Sequence, residues 1–238
     1  MTAFIMFDPL YFIILAPAML LAGWAQMKVK GSFARASQIP ASSRLSGAEA
    51  AYRILQAHGL QRVGIEPTRG MLGDHYDPQK KVLRLSPNVY SGRSLAAVGV
   101  AAHEAGHAIQ DASGYAPLKL RNGIVPLASA GGNLSMIIFM IGFLLVSTAL
   151  GQGLLLAGVL LFSLTVLFQL INLPVEFDAS RRARRVLVEN GVIAAREDVE
   201  VGRVLNAAAM TYVAATIGAM LTLVYLLIRS GLLGGRRD

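Results

Sequence analysis

His103, Glu104 and His107 stand in the run Ala101-Ala-His-Glu-Ala-Gly-His-Ala-Ile-Gln110. Residues four apart on a helix differ by about 6 Å along the axis and about 40° around it, so both imidazoles reach one ion. Glu104 lies about 100° round from His103, close enough to hold a water on that ion without binding the ion itself. Zinc held by neutral imidazole and carboxylate brings the pKa of its water down to about 7, and an adjacent carboxylate can then carry the proton to a leaving amine. The spacing therefore predicts one catalytic Zn2+ on His103 and His107, with Glu104 as general base for hydrolysis of a peptide bond. The blander alternative is a pair of helix-surface histidines flanking a solvated glutamate.

Catalytic zinc usually has three protein ligands. A third histidine six positions beyond His107 is ruled out, because that position is Ser113. Asp111, one turn further along the same face, and Glu176 and Asp178, far down the chain, remain as candidates. Glu176 is the favoured one, because the two apolar segments that separate it from the motif form a hairpin that returns the chain to the motif's side. Otherwise the acids would be solvated, Asp111 on an exposed helix face and Glu176 and Asp178 at a helix start that favours negative charge. Donors for a tetrahedral oxyanion are His75, Tyr76, Tyr115 and Arg181, with none singled out.

The elements that must position these groups are dominated by apolar sequence. Of 238 residues, 54% are hydrophobic and 15% charged, and the mean hydropathy is +0.53, which excludes an ordinary soluble domain. At about 20 helical residues per crossing, the apolar runs divide into four spans, residues 9–27, 124–146, 154–173 and 207–228. The small and polar stretch from Ser147 to Gly153 breaks the long middle run. The first span lacks a basic leader and is followed by Lys28 and Lys30, so it reads as an anchor rather than a cleaved signal. Of the 22 lysines and arginines, all but Arg229, Arg236 and Arg237 fall in the two polar segments, which the positive-inside rule places in the cytoplasm. The net charge of +8 has no aromatic-basic motif beside it, so no nucleic-acid partner is expected. Cysteine is absent, which excludes disulfides, thiolate ligands and a cysteine nucleophile.

The polar segments predict a few local elements. Ser46 to Gly59 reads as a helix with a capping box from Ser46 and Glu49 and a glycine stop. Val63–Glu66 and Val82–Leu85 read as short strands, the second a possible edge for an extended peptide, with a turn over Gly73–Pro78 between them. Ser94 to Asp111 is the motif helix, capped by Ser91 or Ser94. Asn172-Leu-Pro174 signals a helix start and Asn190-Gly191 a stop. Arg181, Arg182, Arg184 and Arg185 suit anionic lipid headgroups.

Longer runs carry a resemblance: Gly92 through Gln110, Leu173-Pro-Val-Glu-Phe-Asp-Ala-Ser180, Ala209-Met-Thr-Tyr-Val-Ala-Ala215, and the pairs Asp77-Pro78 and Leu85-Ser86. In these the chain resembles the YugP-like neutral zinc metallopeptidases of bacterial membranes over nearly its whole length. The resemblance implies a mainly α membrane protein, with about four transmembrane helices and a zincin-like α+β peptidase region containing a small sheet. It also implies Glu176 as third ligand, by similarity to the wider gluzincins. Some gluzincins carry an Asp four residues after the ligand Glu, behind a metal-bound histidine. Here that position is Ser180, so either Asp178 takes the supporting role from a differently wound helix start or the support is built otherwise. The expected organisation is an anchor over 1–27, a peptidase region over 28–123, a transmembrane hairpin over 124–173, the helix with the third ligand over 174–206 and a last span with its tail over 207–238. Peptides, some membrane-associated, are the expected substrates. The alternatives are an intramembrane protease of the site-2 type and a zinc-binding scaffold that would have no need of Glu104.

Overall fold

The computed structural model describes residues 8–68 and 73–233. The first residues of the N-terminal segment and the tail with Arg236 and Arg237 lie outside the described residues. The chain divides into two compact units, one of Met1–Trp24, Leu120–Leu173 and Thr211–Asp238, the other of Ala25–Lys119 and Pro174–Met210.

The first unit is helical. It draws on α1 (Pro9–Ser37), α5 (Ala116–Leu144), α6 (Ala149–Glu189) and α7 (Asp198–Arg229), four helices long and apolar enough to cross a membrane. Large side chains such as Ile13, Leu20, Leu127 and Leu160 are exposed on them, as lipid-facing residues are. Glycines set the closest approaches: a Cβ on Gly142 would lie 2.6 Å from the Leu155 nitrogen, and one on Gly158 would lie 2.8 Å from the Phe139 Cβ. Small residues let membrane helices pack this closely. Phe139, Leu155, Val159, Phe162, Val166, Tyr225 and Leu226 form the apolar centre of this unit. Asp8 accepts hydrogen bonds from the Tyr225 hydroxyl at 2.8 Å and from Arg229 Nε at 2.7 Å, tying the start of α1 to the end of α7.

Two boundaries differ from the sequence expectation. The break between the middle spans is Leu145–Thr148, and α6 already begins at Ala149, because Thr148 caps it by accepting from the Gly151 N–H at 3.0 Å. No helix starts at Pro174: α6 runs unbroken through it for 41 residues. Continuing past an internal proline leaves one carbonyl without its helical N–H, whereas a new start would leave several backbone groups to satisfy at the end of an apolar span.

The second unit is built around α4 (Leu95–Ala112). Ser94 caps it by accepting from the Ala97 N–H at 3.2 Å, and nearly every side turns to protein, from Leu95 through Ala108. A helix apolar all round is a central one. Helix α2 (Gly47–Ala57) packs beside it. Its capping box is present in both directions, Ala50, Ala51, Ile54 and Leu55 are buried, and it ends before Gly59 at φ +71°. A short α3 (Pro87–Tyr90) precedes α4.

The sheet has three strands in the order β1 (Gly64–Pro67), β3 (Val82–Leu85), β2 (His75–Asp77). The expected turn over Gly73–Pro78 thus contains a strand, because Tyr76 buries its side chain while Asp77 accepts the Gln79 and Lys80 N–H groups to form the turn one step later. β2 and β3 form the antiparallel pair, whereas β1 runs parallel to β3. β3 is therefore central, with both edges paired, and offers no edge to an extended peptide.

Candidate metal centre

His103 and His107 lie one turn apart on α4, with ring centroids 4.8 Å apart and planes at 84°. Glu176 comes from α6, and its Oε2 lies 3.3 Å from His103 Nε2 and 3.7 Å from His107 Nε2. A tetrahedral ion with bonds of about 2.0–2.1 Å needs donors about 3.3–3.4 Å from one another. The three side chains thus fit zinc in number and donor type, and Glu176 stands near that spacing from both imidazoles. Among the described residues they are the one group of three or more His, Asp or Glu whose donor atoms gather this way, all within 4.8 Å.

Gly106 makes this geometry possible. A Cβ there would lie 2.7 Å from the Ala179 carbonyl oxygen, so α4 and α6 touch backbone to backbone. Ala179 is one turn from Glu176, and the contact sets how far the carboxylate reaches.

Each imidazole has a second partner. His103 Nδ1 lies 3.2 Å from the Ser180 hydroxyl, and His107 Nδ1 lies 3.0 Å from Gln110 Oε1. Gln110 Nε2 donates to the Val175 carbonyl at 2.8 Å and to Asp178 Oδ2 at 3.0 Å. Sequence reading gave neither Gln110 nor Ser180 a role. Their signal is spacing alone, three residues after His107 and four after Glu176.

Glu104 is buried beside this cluster. Burial pushes its carboxyl up to about 7, against the charge of His103, with help from the negative charges of Glu176 and Asp74 and with the Tyr76 backbone N–H pulling the other way. Burial would also raise Glu176, but hydrogen bonds from His103 and His107, together with their charge, hold it well below the usual carboxylate range.

The remaining candidates fall elsewhere. Asp178 reaches His107 only through Gln110 and is ion-paired with Arg181 at 2.6 Å and Arg182 at 2.5 Å. His75 is exposed, its ring bonded to the Gly73 carbonyl at 2.7 Å. The Tyr76 hydroxyl is committed to Asp111 at 2.7 Å, so this residue meets Glu104 through its amide alone. Asp111 also pairs with Lys81 at 2.5 Å and stands outside the ligand group. Tyr115 lies beneath the Arg182 guanidinium, 5.7 Å from its ring centroid.

Residues 11–231 match the family model described as "Putative neutral zinc metallopeptidase". The chain is 47% identical over 214 residues to the "Putative membrane protease YugP" of Bacillus subtilis (strain 168), covering 90% of this chain and 93% of that protein. No solved structure matches it.

Proposed function

The chain belongs to the neutral zinc metallopeptidase family, and from that premise we propose that it is a membrane-anchored zinc endopeptidase with Glu104 as its general base. The convergence of His103, His107 and Glu176, with Glu104 buried beside them, carries the reading. His103, His107 and Glu176 would hold one Zn2+, which supplies polarisation of the scissile carbonyl and acidification of water. Glu104 then takes the proton of the attacking water and delivers it to the departing amine. The Tyr76 N–H steadies that carboxylate, and the buried setting strengthens each of these charge interactions by excluding bulk water.

The test is peptide cleavage by purified protein in detergent, comparing the parent with Glu104→Gln at equal zinc content. The expected loss is about 10²–10⁴-fold in kcat, the usual contribution of a positioned base. Equal cleavage by both would overturn the assignment. For Glu176→Gln the expected result is weaker zinc retention, and an unchanged zinc stoichiometry and affinity would remove it from the ligand set.

Helix α4 is not among the four helices long and apolar enough to cross a membrane, which speaks against an intramembrane protease of the site-2 type. A zinc-binding scaffold would leave the buried Glu104 without a use. The substrate class is peptides, with the bilayer as the enzyme's setting and the peptidase region on the cytoplasmic side.

A further inference from the structure

Gln110 is fully buried, one turn beyond His107. A glutamine amide carries one acceptor oxygen and two N–H donors, and its partners decide which end points where. The two groups facing Nε2 are the Val175 carbonyl oxygen and the Asp178 carboxylate, the latter paired with two arginines. Both accept. A flipped amide would set its own oxygen against both of them at a fully buried position, where an unsatisfied polar group is costly. The amide is therefore locked with Oε1 towards His107.

That lock acts on the imidazole. Oε1 can only accept, so His107 Nδ1 must carry the ring proton. In the neutral ring Nε2 then has the lone pair, directed to the side where the Glu176 carboxylate stands 3.7 Å away. A lone pair and a carboxylate at that range repel unless a metal ion or a second ring proton joins them. Ser180 differs, because its hydroxyl can either donate to His103 Nδ1 or accept from it, so it leaves the His103 tautomer free.

We propose that Gln110 is a positioning residue of the metal centre, held by Val175 and Asp178 so that its amide fixes the Nε2-ligating tautomer of His107. The inference rests on the zinc reading above and names how one ligand is set before the ion arrives. It also makes the two histidines unequal, with His107 preset and His103 adaptable.

The test uses the full chain in detergent, with two readouts: ¹⁵N spectra of histidine-labelled, zinc-free protein, and Zn2+ affinity by competition with a chelator. In the parent, His107 is expected as the single Nδ1-protonated tautomer. Gln110→Met, which keeps the volume and removes the acceptor, should mix the tautomers and weaken Zn2+ binding about 10–100-fold, the usual cost of removing a ligand's supporting partner. Ser180→Ala, on the adaptable His103, should leave the His107 tautomer unchanged and cost less Zn2+ affinity than Gln110→Met. A neutral His107 protonated at Nε2 alone in the zinc-free parent overturns the proposal, as does parental affinity in Gln110→Met. If Gln110→Met does not fold, the parent spectrum decides the matter alone. A parent with the expected tautomer that binds no Zn2+ sinks the metallopeptidase reading instead, so the two failures are distinct.

Discussion

Glu104 and Glu176 are both buried carboxyls at one site, yet their surroundings drive them in opposite directions. Glu176 stays ionised on its imidazole partners, while burial lifts Glu104 from an ordinary 4.5 to about 7. Between those two values the folded chain holds a proton that the unfolded chain has released, so stability must fall as pH rises through that window. The whole shift corresponds to about 3 kcal/mol. In zinc-free protein, Glu104→Gln removes this term. Its melting temperature should exceed the parent's by several degrees at pH 8 and meet it near pH 4, and a lower value at pH 8 would refute the assignment. At this scale the sequence was legible wherever the chemistry is local: His103, Glu104 and His107 are fixed by helical spacing alone. Gln110 was not, because its role depends on Val175 and Asp178, which only tertiary packing brings to it. Tyr76 is one of several donor candidates in the sequence, and only packing shows that its hydroxyl donates to Asp111.

Among the elements, the crossing of α4 and α6 at Gly106 and Ala179 governs the site. In a free helix, Gly106→Ala would stabilise by about 1 kcal/mol. Here the added methyl would meet a backbone carbonyl at 2.7 Å, and no rotamer can relieve it. The expected sign is therefore reversed: a lower melting temperature, together with weaker zinc retention as Glu176 is pushed from the histidines. A neutral or stabilised Gly106→Ala would mean that the crossing is loose. The capping box of α2 and the Ser94 cap of α4 could be read from sequence because caps are short-range signals. The order of the sheet could not. A three-residue strand inside a Gly-Asp-Pro-rich stretch has too few residues to show alternation, and the parallel pairing of β1 with β3 is a long-range choice. Pro174 misled for a related reason, since its local preference for a helix start is overridden by the apolar span that continues into it.

For the molecule as a whole, the proposed topology rests on where the charges lie. Arg229 is the one C-terminal arginine among the described residues, and it is bound to Asp8, with the Tyr225 hydroxyl on the same carboxylate. Its positive charge is thus offset locally, and it weighs little against a cytoplasmic peptidase region. Because the chain contains no cysteine, a single Tyr52→Cys, at an exposed position on α2, gives a unique label. An impermeant maleimide should reach it in inverted membrane vesicles and not in right-side-out ones. The opposite pattern would reverse the orientation. Asp8→Asn should lower the melting temperature, at about 2–4 °C for each kcal/mol lost, since it strips the charge partner from Arg229; no change would make the pair dispensable.

The separation of His103 from Glu176, 73 residues along the chain, also has a meaning in time. At a synthesis rate of about 5–20 residues per second, a nascent chain carries the motif helix for about 4–15 s before the third member of the group, Glu176, has been made. Through that interval it holds two histidines and a base but no complete ion cage. On the proposed function, hydrolytic competence would therefore arrive late in biogenesis, after two apolar spans have emerged, and a chain truncated before them would lack Glu176.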